Sequence, residues 1–171
     1  NPDAIIAIFP ADHLIQNTEV FNAAIAQAAQ MAEQQKLVTF GVAPTKPETG
    51  YGYIKAANKG EQASPVAEFV EKPNAEVAKQ YLDSGDYYWN SGMFLFSPKN
   101  YLAQLQLFHP EIQQSVEKSF RHAKQDHDFI RPEEQSYRAS PEISIDYAVM
   151  EKSDLIKCLP VDIGWNDVGG Y

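Results

Sequence analysis

Glu71-Lys72-Pro73 sets an acid and a base side by side where the strand-like run Val66-Ala67-Glu68-Phe69-Val70 stops. Neighbouring residues of a strand face opposite sides. Pro73 then ends the pairing, because it has no N–H to donate. Glu71 and Lys72 can therefore reach different parts of one polar ligand, such as a hydroxyl and a phosphate. Alone, such a triplet is an ordinary solvated strand end, but four other segments give it company. In Pro10-Ala11-Asp12-His13, Asp12 suits a metal or a substrate hydroxyl, against its everyday work as a turn or capping residue. His13 reads as a local hydrogen-bonding group, because the other three histidines show no metal-ligand spacing with it. Gly50-Tyr51-Gly52-Tyr53 would let backbone approach a ligand closely, or simply make a turn. Trp89-Asn90-Ser91-Gly92 offers an amide that both donates and accepts, which suits a sugar hydroxyl, while Trp89 fits core packing. Trp165-Asn166-Asp167-Val168-Gly169 adds Asp167, a second candidate for a divalent cation. There is no GxGxxG fingerprint and no Walker-type phosphate loop.

These residues need elements to position them. Ala4 to Phe9 reads as a buried strand closed by Pro10. Asn17 or Thr18 caps a helix to about Gln35, with Phe21, Ile25, Ala28 and Ala32 on one face. Leu37 to Val42 is a second buried strand, and this order suggests a βαβ unit with a parallel, doubly covered sheet. Tyr53 to Ala56 and Val66 to Val70 are strands around a polar turn at Gly60. Asn74 caps a short helix ending near Gly85, Met93 to Phe96 is a strand, and Ser97-Pro98 starts a helix. Glu111 to His122 is helical, Lys124 to Ser140 is a polar irregular loop or insertion, Ile143 to Lys152 is a short helix, and Leu155 to Ile163 is a last strand. The fold expected is α/β, with a mostly parallel mixed sheet and flanking helices in one domain over 1–171.

Asp12, Gly52, Glu71, Asn90 and Asp167 all fall at expected strand edges, and a parallel sheet gathers such edges at one rim. Two carboxylates distant in sequence, a Lys, a Gly and an Asn make a site for a sugar phosphate and Mg²⁺, which takes oxygen ligands and is often completed by substrate phosphates.

The totals agree. Lys plus Arg is 14 and Asp plus Glu is 23, a net charge of −9, which argues against a nucleic-acid or anionic-membrane surface. One local basic site still suffices for a small phosphorylated molecule. Cys158 is the only cysteine, so no intrachain disulfide forms, which fits a reducing cytoplasm. It reads as core rather than nucleophile. No apolar run is long enough to span a membrane. The first residue is Asn1, and the opening strand and the closing Gly169-Gly170-Tyr171 suggest a piece of a longer protein. Apolar surface on an incomplete sheet could drive homo-oligomer formation.

The order of motifs resembles the mannose-1-phosphate guanylyltransferases, most closely the bacterial type often fused to a mannose-6-phosphate isomerase domain. The resemblance runs through Phe9-Pro10-Ala11-Asp12-His13, Gly50-Tyr51-Gly52-Tyr53-Ile54, Phe69-Val70-Glu71-Lys72-Pro73 and Trp89-Asn90-Ser91-Gly92-Met93-Phe94. It continues through Ser144-Ile145-Asp146-Tyr147-Ala148-Val149-Met150-Glu151 and Gly164-Trp165-Asn166-Asp167-Val168-Gly169. It implies a Rossmann-like sheet of the nucleotide-diphospho-sugar transferase type, and the making of GDP-mannose and pyrophosphate from GTP and mannose 1-phosphate. Asp12 and Asp167 would then be the Mg²⁺ ligands. Gly52, Glu71 and Asn90 would hold the sugar, and Lys72 would face its phosphate. Asp146 matches a motif of the family, as a site residue or as a structural helix residue. The family's Gly-rich nucleotide loop and the Pro-Lys motif after it are not found before Asn1, nor are the C-terminal β-helix and isomerase domain found here. Gly170-Tyr171 stands where Ser-Trp is commoner. The isolated 171 residues are therefore expected to lack catalysis. Two alternatives stay open: a nucleotidyltransferase for another hexose 1-phosphate, and a non-catalytic sugar-phosphate-binding fragment.

Overall fold

The computed structural model describes residue 1 and the stretches 4–58 and 62–169. The turn expected at Gly60 and the Gly170-Tyr171 end lie outside those residues. In chain order the elements are β1 (Ile6–Ile8), β2 (His13–Leu14), α1 (Thr18–Glu33), β3 (Leu37–Val42), β4 (Tyr53–Ala56), β5 (Ser64–Val70), α2 (Ala75–Ser84) and β6 (Tyr87–Phe96). Then come α3 (Pro98–Phe108), α4 (Pro110–Arg121), β7 (Lys124–Asp126), β8 (Phe129–Arg131), α5 (Glu134–Arg138), a π-helical turn over Asp146–Met150, β9 (Ile156–Val161) and β10 (Asn166–Asp167). They form two compact units, one of Asn1–Asn100 with Ser153–Tyr171 and one of Tyr101–Lys152.

The first unit carries the sheet. Asn17 caps α1, its side-chain oxygen accepting from the Val20 N–H at 3.2 Å. Ala24, Ala28 and Ala32 form the buried stripe of α1, and their small size lets the helix lie close to the sheet. Ala24 and Ala28 join Val38, Phe40, Met93, Leu95, Leu159 and Ile163 in one core, with Phe21 and Ile25 packed against it. Asn74 caps α2 through Val77 N–H at 2.9 Å, and Gly85 ends it at φ +68°, a left-handed position that suits glycine.

The α/β architecture with a mixed sheet is as expected, but parallel pairing does not predominate. Only β3 and β9 pair in parallel among the described strands, and the other sheet pairs are antiparallel. The βαβ reading had the directions right: β1 and β3 both run antiparallel to β6 and hence parallel to each other. What the pattern could not show is β6 inserted between them. β4 pairs with both β5 and β6, and β5 with β9, so β3, β6, β4, β5 and β9 close a circuit of pairings. β1 is an edge strand rather than a buried one, with Ile6 and Ile8 about 40% exposed. β6 is also longer than expected and contains Asn90 rather than following it.

In the second unit the segment 124–140 is ordered, not irregular. β7 and β8 form a hairpin whose tight turn includes His127 at φ +53°. Glu133 then caps α5, accepting from the N–H groups of Gln135 at 2.7 Å and Ser136 at 2.8 Å. The Ser136 side chain and those backbone donors hold the Glu133 carboxyl down to about 2. Ser119 Oγ donates to the Glu133 carbonyl at 2.7 Å, fastening this turn to α4. The polar composition that suggested a loop thus serves a hairpin and a cap.

Candidate active site

One edge of β6 changes partner part-way along. Tyr87 to Trp89 pair with β4, and Phe94 to Phe96 pair with β1. Both partners run opposite to β6, so the carboxyl end of β1 and the amino end of β4 meet across a gap at 90–93. On its other edge β6 bulges against β3: Thr39 faces Phe94, but Gly41 faces Asn90, two residues of advance against four. Gly92 sits in the bulge at φ +70°. Bulges re-aim side chains, and the side chain re-aimed here is Asn90.

Three strands bring the first group together. Asn90 N–H donates to the Gly52 carbonyl at 2.8 Å. Tyr53 pairs with Val70, which places Gly52 beside Glu71. Gly52 therefore lies between Asn90 on β6 and Glu71 just past β5. A Cβ at Gly52 would stand 2.5 Å from Glu71 Oε2, 3.2 Å from Asn90 Cβ and 3.5 Å from Asn90 Nδ2. Glycine is needed there because both neighbours lean over the same point. Asn90 is 7% exposed and the Glu71 side chain 9%.

Lys72 does not alternate away from Glu71 as a strand residue would. β5 ends at Val70, and Lys72 takes a left-handed φ of +48°. That turn brings Nζ to 3.7 Å from Glu71 Oε1 while leaving the side chain 60% exposed. A lysine in this conformation is uncommon and costs backbone strain. The two charged groups thus approach one place instead of opposite faces.

The carboxylates meet as expected. β2 pairs with β10, opposing His13 to Asp167, and Val168 N–H donates to the Asp12 carbonyl at 3.2 Å. One side-chain atom from each of Asp12, His13 and Asp167 lies within 4.8 Å of the other two. Asp167 Oδ1 also accepts from Gly169 N–H at 2.9 Å. A Cβ at Gly169 would overlap Asp12 Oδ2 and come to 3.3 Å from Asp167 Oδ1, so glycine keeps open the space the two carboxylates border. Two carboxylates around such a space fit a hard divalent cation. His13 plays a different part. Trp165 Nε1 stands 3.0 Å from His13 Nδ1. An indole N–H only donates, so Nδ1 accepts, and the proton of the neutral ring sits on Nε2. Neither nitrogen of that ring then has a lone pair for a metal. The local hydrogen-bonding role read from the sequence is the one seen.

An aromatic trio joins the two groups. Tyr51 lies edge-on to Trp89 at 5.3 Å and to Trp165 at 5.2 Å, and Trp89 lies 6.4 Å from Trp165. Each ring comes from a motif that also carries a candidate residue: Gly52 next to Tyr51, Asn90 next to Trp89, Asp167 two after Trp165. Tyr53 Oη donates to the Glu48 carbonyl at 2.9 Å, tying down the preceding loop. Burial pushes the Tyr51 phenol up and the Asp167 carboxylate pushes it further, which places both in one electrostatic field. Packing was the role expected for Trp89; that Tyr51 and Trp165 share it was not read from the sequence.

Two residues escaped the motif reading. Thr39 is fully buried, and its Oγ1 stands 3.0 Å from Asn90 Oδ1. A hydroxyl inside the apolar run Leu37-Val38-Thr39-Phe40-Gly41-Val42 must find a partner, and that signal was available. Gly169 is the other: it closes the motif that carries Asp167 but was given no role there. Asp146 opens the π-helical turn of the second unit, where its carbonyl accepts from Glu151 N–H at 2.9 Å.

The whole chain, residues 1–171, matches the family model described as nucleotidyl transferase. It belongs to the nucleotidyl transferase family. It is 50% identical over 169 residues to the xanthan biosynthesis protein XanB of Xanthomonas campestris pv. campestris strain B100, a match covering 99% of this chain and 36% of that protein. It is 47% identical over 174 residues to the mannose-1-phosphate guanylyltransferase of Escherichia coli K12, with 99% and 36% covered. A crystal structure described as mannose-6-phosphate isomerase from Helicobacter pylori superposes with a TM-score of 0.90 at 33% identity, over 98% of this chain and 65% of that one. The chain spans about a third of the length of the curated relatives it matches. No helix among the described residues is long and apolar enough to cross a membrane.

Proposed function

We propose that this chain forms the sugar-phosphate and metal side of a guanylyltransferase that makes GDP-mannose and pyrophosphate from GTP and mannose 1-phosphate. The observation that carries the proposal is the meeting, beside the gap between β1 and β4 on one edge of β6, of Asn90 and Glu71 over a glycine with Lys72 beside them. The relatives named above supply the substrate class.

In this reading Glu71 and Asn90 hold hydroxyls of the sugar, and the Lys72 ammonium pairs with its phosphate. Held in this way, a phosphate oxygen of mannose 1-phosphate attacks the α-phosphorus of GTP. The new P–O bond forms as the bond to the β-phosphate oxygen breaks, and pyrophosphate leaves with the electron pair. Asp12 and Asp167 would hold Mg²⁺, which offsets the negative charge crowded at the phosphates. The chain's own contribution is orientation, which removes much of the barrier in such transfers. His13 and Trp165 keep the two acid-bearing loops in register. Asp146 remains a candidate substrate residue on the strength of the family motif. A cytoplasmic setting belongs to the same reading, since its substrates are nucleotides.

The test is pyrophosphate release by the full-length protein that carries this chain, with GTP or UTP paired with mannose 1-phosphate or glucose 1-phosphate. Release is expected only, or at least tenfold faster, with GTP and mannose 1-phosphate. Equal or better turnover with glucose 1-phosphate would assign the site to another hexose, and no turnover with any pair would leave a binding fragment.

A further inference from the structure

We infer that Thr39 is a positioning residue that fixes which end of the Asn90 amide meets the ligand, so that the site presents a donor from Asn90 opposite an acceptor from Glu71. The inference rests on the reading of Asn90 as a sugar-binding residue. The amide of an asparagine can be turned either way, and its chemistry reverses when it turns. Here its orientation follows from the partners. Gly92 N–H stands 3.2 Å from one side-chain atom of Asn90, and a backbone N–H only donates, so that atom is the carbonyl Oδ1. Thr39 Oγ1 lies 3.0 Å from the same oxygen and donates the second bond. Oδ1 thereby accepts once from Gly92 of β6 and once from Thr39 of β3, and Nδ2 borders the space over Gly52, 3.5 Å from where a Cβ would be.

Glu71 Oε2 borders that same space. A hydroxyl lodged there can accept from Asn90 Nδ2 and donate to Glu71 in one geometry. A ketone, an ether or an ammonium cannot do both. Thr39 itself is wholly buried in the middle of β3 and cannot touch the ligand. It acts only through Asn90. One net hydrogen bond is at stake, so removing it changes affinity by about three- to tenfold.

The experiment uses the full-length protein with Thr39→Val, Thr39→Ser and Asn90→Ala, and measures mannose 1-phosphate and GTP affinities by calorimetry beside thermal unfolding. Thr39→Val should weaken mannose 1-phosphate about three- to tenfold and leave GTP within about twofold, and Thr39→Ser should restore the sugar phosphate. Unchanged sugar-phosphate affinity in Thr39→Val, or equal weakening of both ligands, overturns the inference, because a merely structural threonine would alter only stability or everything alike. If Asn90→Ala itself leaves mannose 1-phosphate binding intact, the site reading falls, and Thr39 with it. If Asn90→Ala weakens binding but Thr39→Val does not, only the Thr39 inference falls. Should Thr39→Val not fold, the unaltered protein decides by NMR. Nuclear Overhauser contacts from the Asn90 Nδ2 protons to the Gly52 α-protons support the orientation, and their absence refutes it.

Discussion

Replacing Gly52 by alanine is the sharpest probe of how the site is built. The added methyl would stand 2.5 Å from Glu71 Oε2, where ordinary contact begins at 3.4 Å. Something must move by about 1 Å. Asn90 Cβ, at 3.2 Å, is fixed to a strand and gives only a few tenths, so the Glu71 carboxylate has to yield. Because a side-chain terminus gives way rather than backbone, global stability should fall by less than about 1.5 kcal/mol. Function should suffer more. A displacement of about 1 Å in a positioning group can cost ~100-fold, close to 2.7 kcal/mol of transition-state stabilisation. The assay is kcat/KM for mannose 1-phosphate in the full-length protein, for Gly52→Ala, Glu71→Ala and the double variant, with thermal unfolding as control. Gly52→Ala should lose on the order of 100-fold. With Glu71 already truncated, the alanine presses only on Asn90 Cβ, which need give a few tenths of an ångström, so the double variant should be little worse than Glu71→Ala alone. Additive losses would refute the reasoning, since contacting residues couple and independent ones add. So would a Gly52→Ala variant with full activity.

Three further outcomes follow from the geometry. Gly169→Ala should abolish Mn²⁺ binding, followed by electron paramagnetic resonance, with little change in unfolding temperature, because its methyl would fall on Asp12 Oδ2; retained binding would place the cation elsewhere. Lys72→Gly should relieve the left-handed strain and raise stability by up to about 1 kcal/mol, a few degrees in melting temperature, while losing the proposed phosphate contact. Lys72→Ala should lose the contact without the gain, and equal melting temperatures would show the strain to be absent. Glu133 is held down to about 2, so its capping contribution is complete above the usual carboxylate range and is lost only as pH falls toward 2. Carbon-detected NMR of its carboxyl should show that titration, and an ordinary midpoint would contradict the cap.

Much of the first unit was legible because local signals and tertiary demands agree there. Asn17 and Asn74 cap the helices they were expected to cap, and the apolar run 37–42 is a strand. The pairing partners were hidden because register is set by contacts between strands distant in sequence. Nothing in residues 4–9 announces that β6 lies beside them, and so the sheet read as more parallel than it is. The candidate residues still converge because the carboxyl end of β1 and the amino end of β4 meet along one edge of β6. The bulge that aims Asn90 was marked only by Gly92, and a glycine in a strand has several meanings. Thr39 was legible in principle, as a hydroxyl that burial obliges to bond. The hairpin and cap of 124–140 were obscured because their stabilising groups are polar, which at the level of composition looks like a loop.

The central claim is that one site holds a divalent cation at Asp12 and Asp167 and a sugar phosphate at Gly52, Glu71, Lys72 and Asn90. A crystal of the full-length protein grown with Mn²⁺ and mannose 1-phosphate tests it most directly. The account predicts an anomalous peak between the Asp12 and Asp167 carboxylates and a sugar hydroxyl within hydrogen-bond distance of both Glu71 and Asn90. A manganese peak away from the two aspartates, or a sugar phosphate bound elsewhere with the space over Gly52 filled by water, would contradict it.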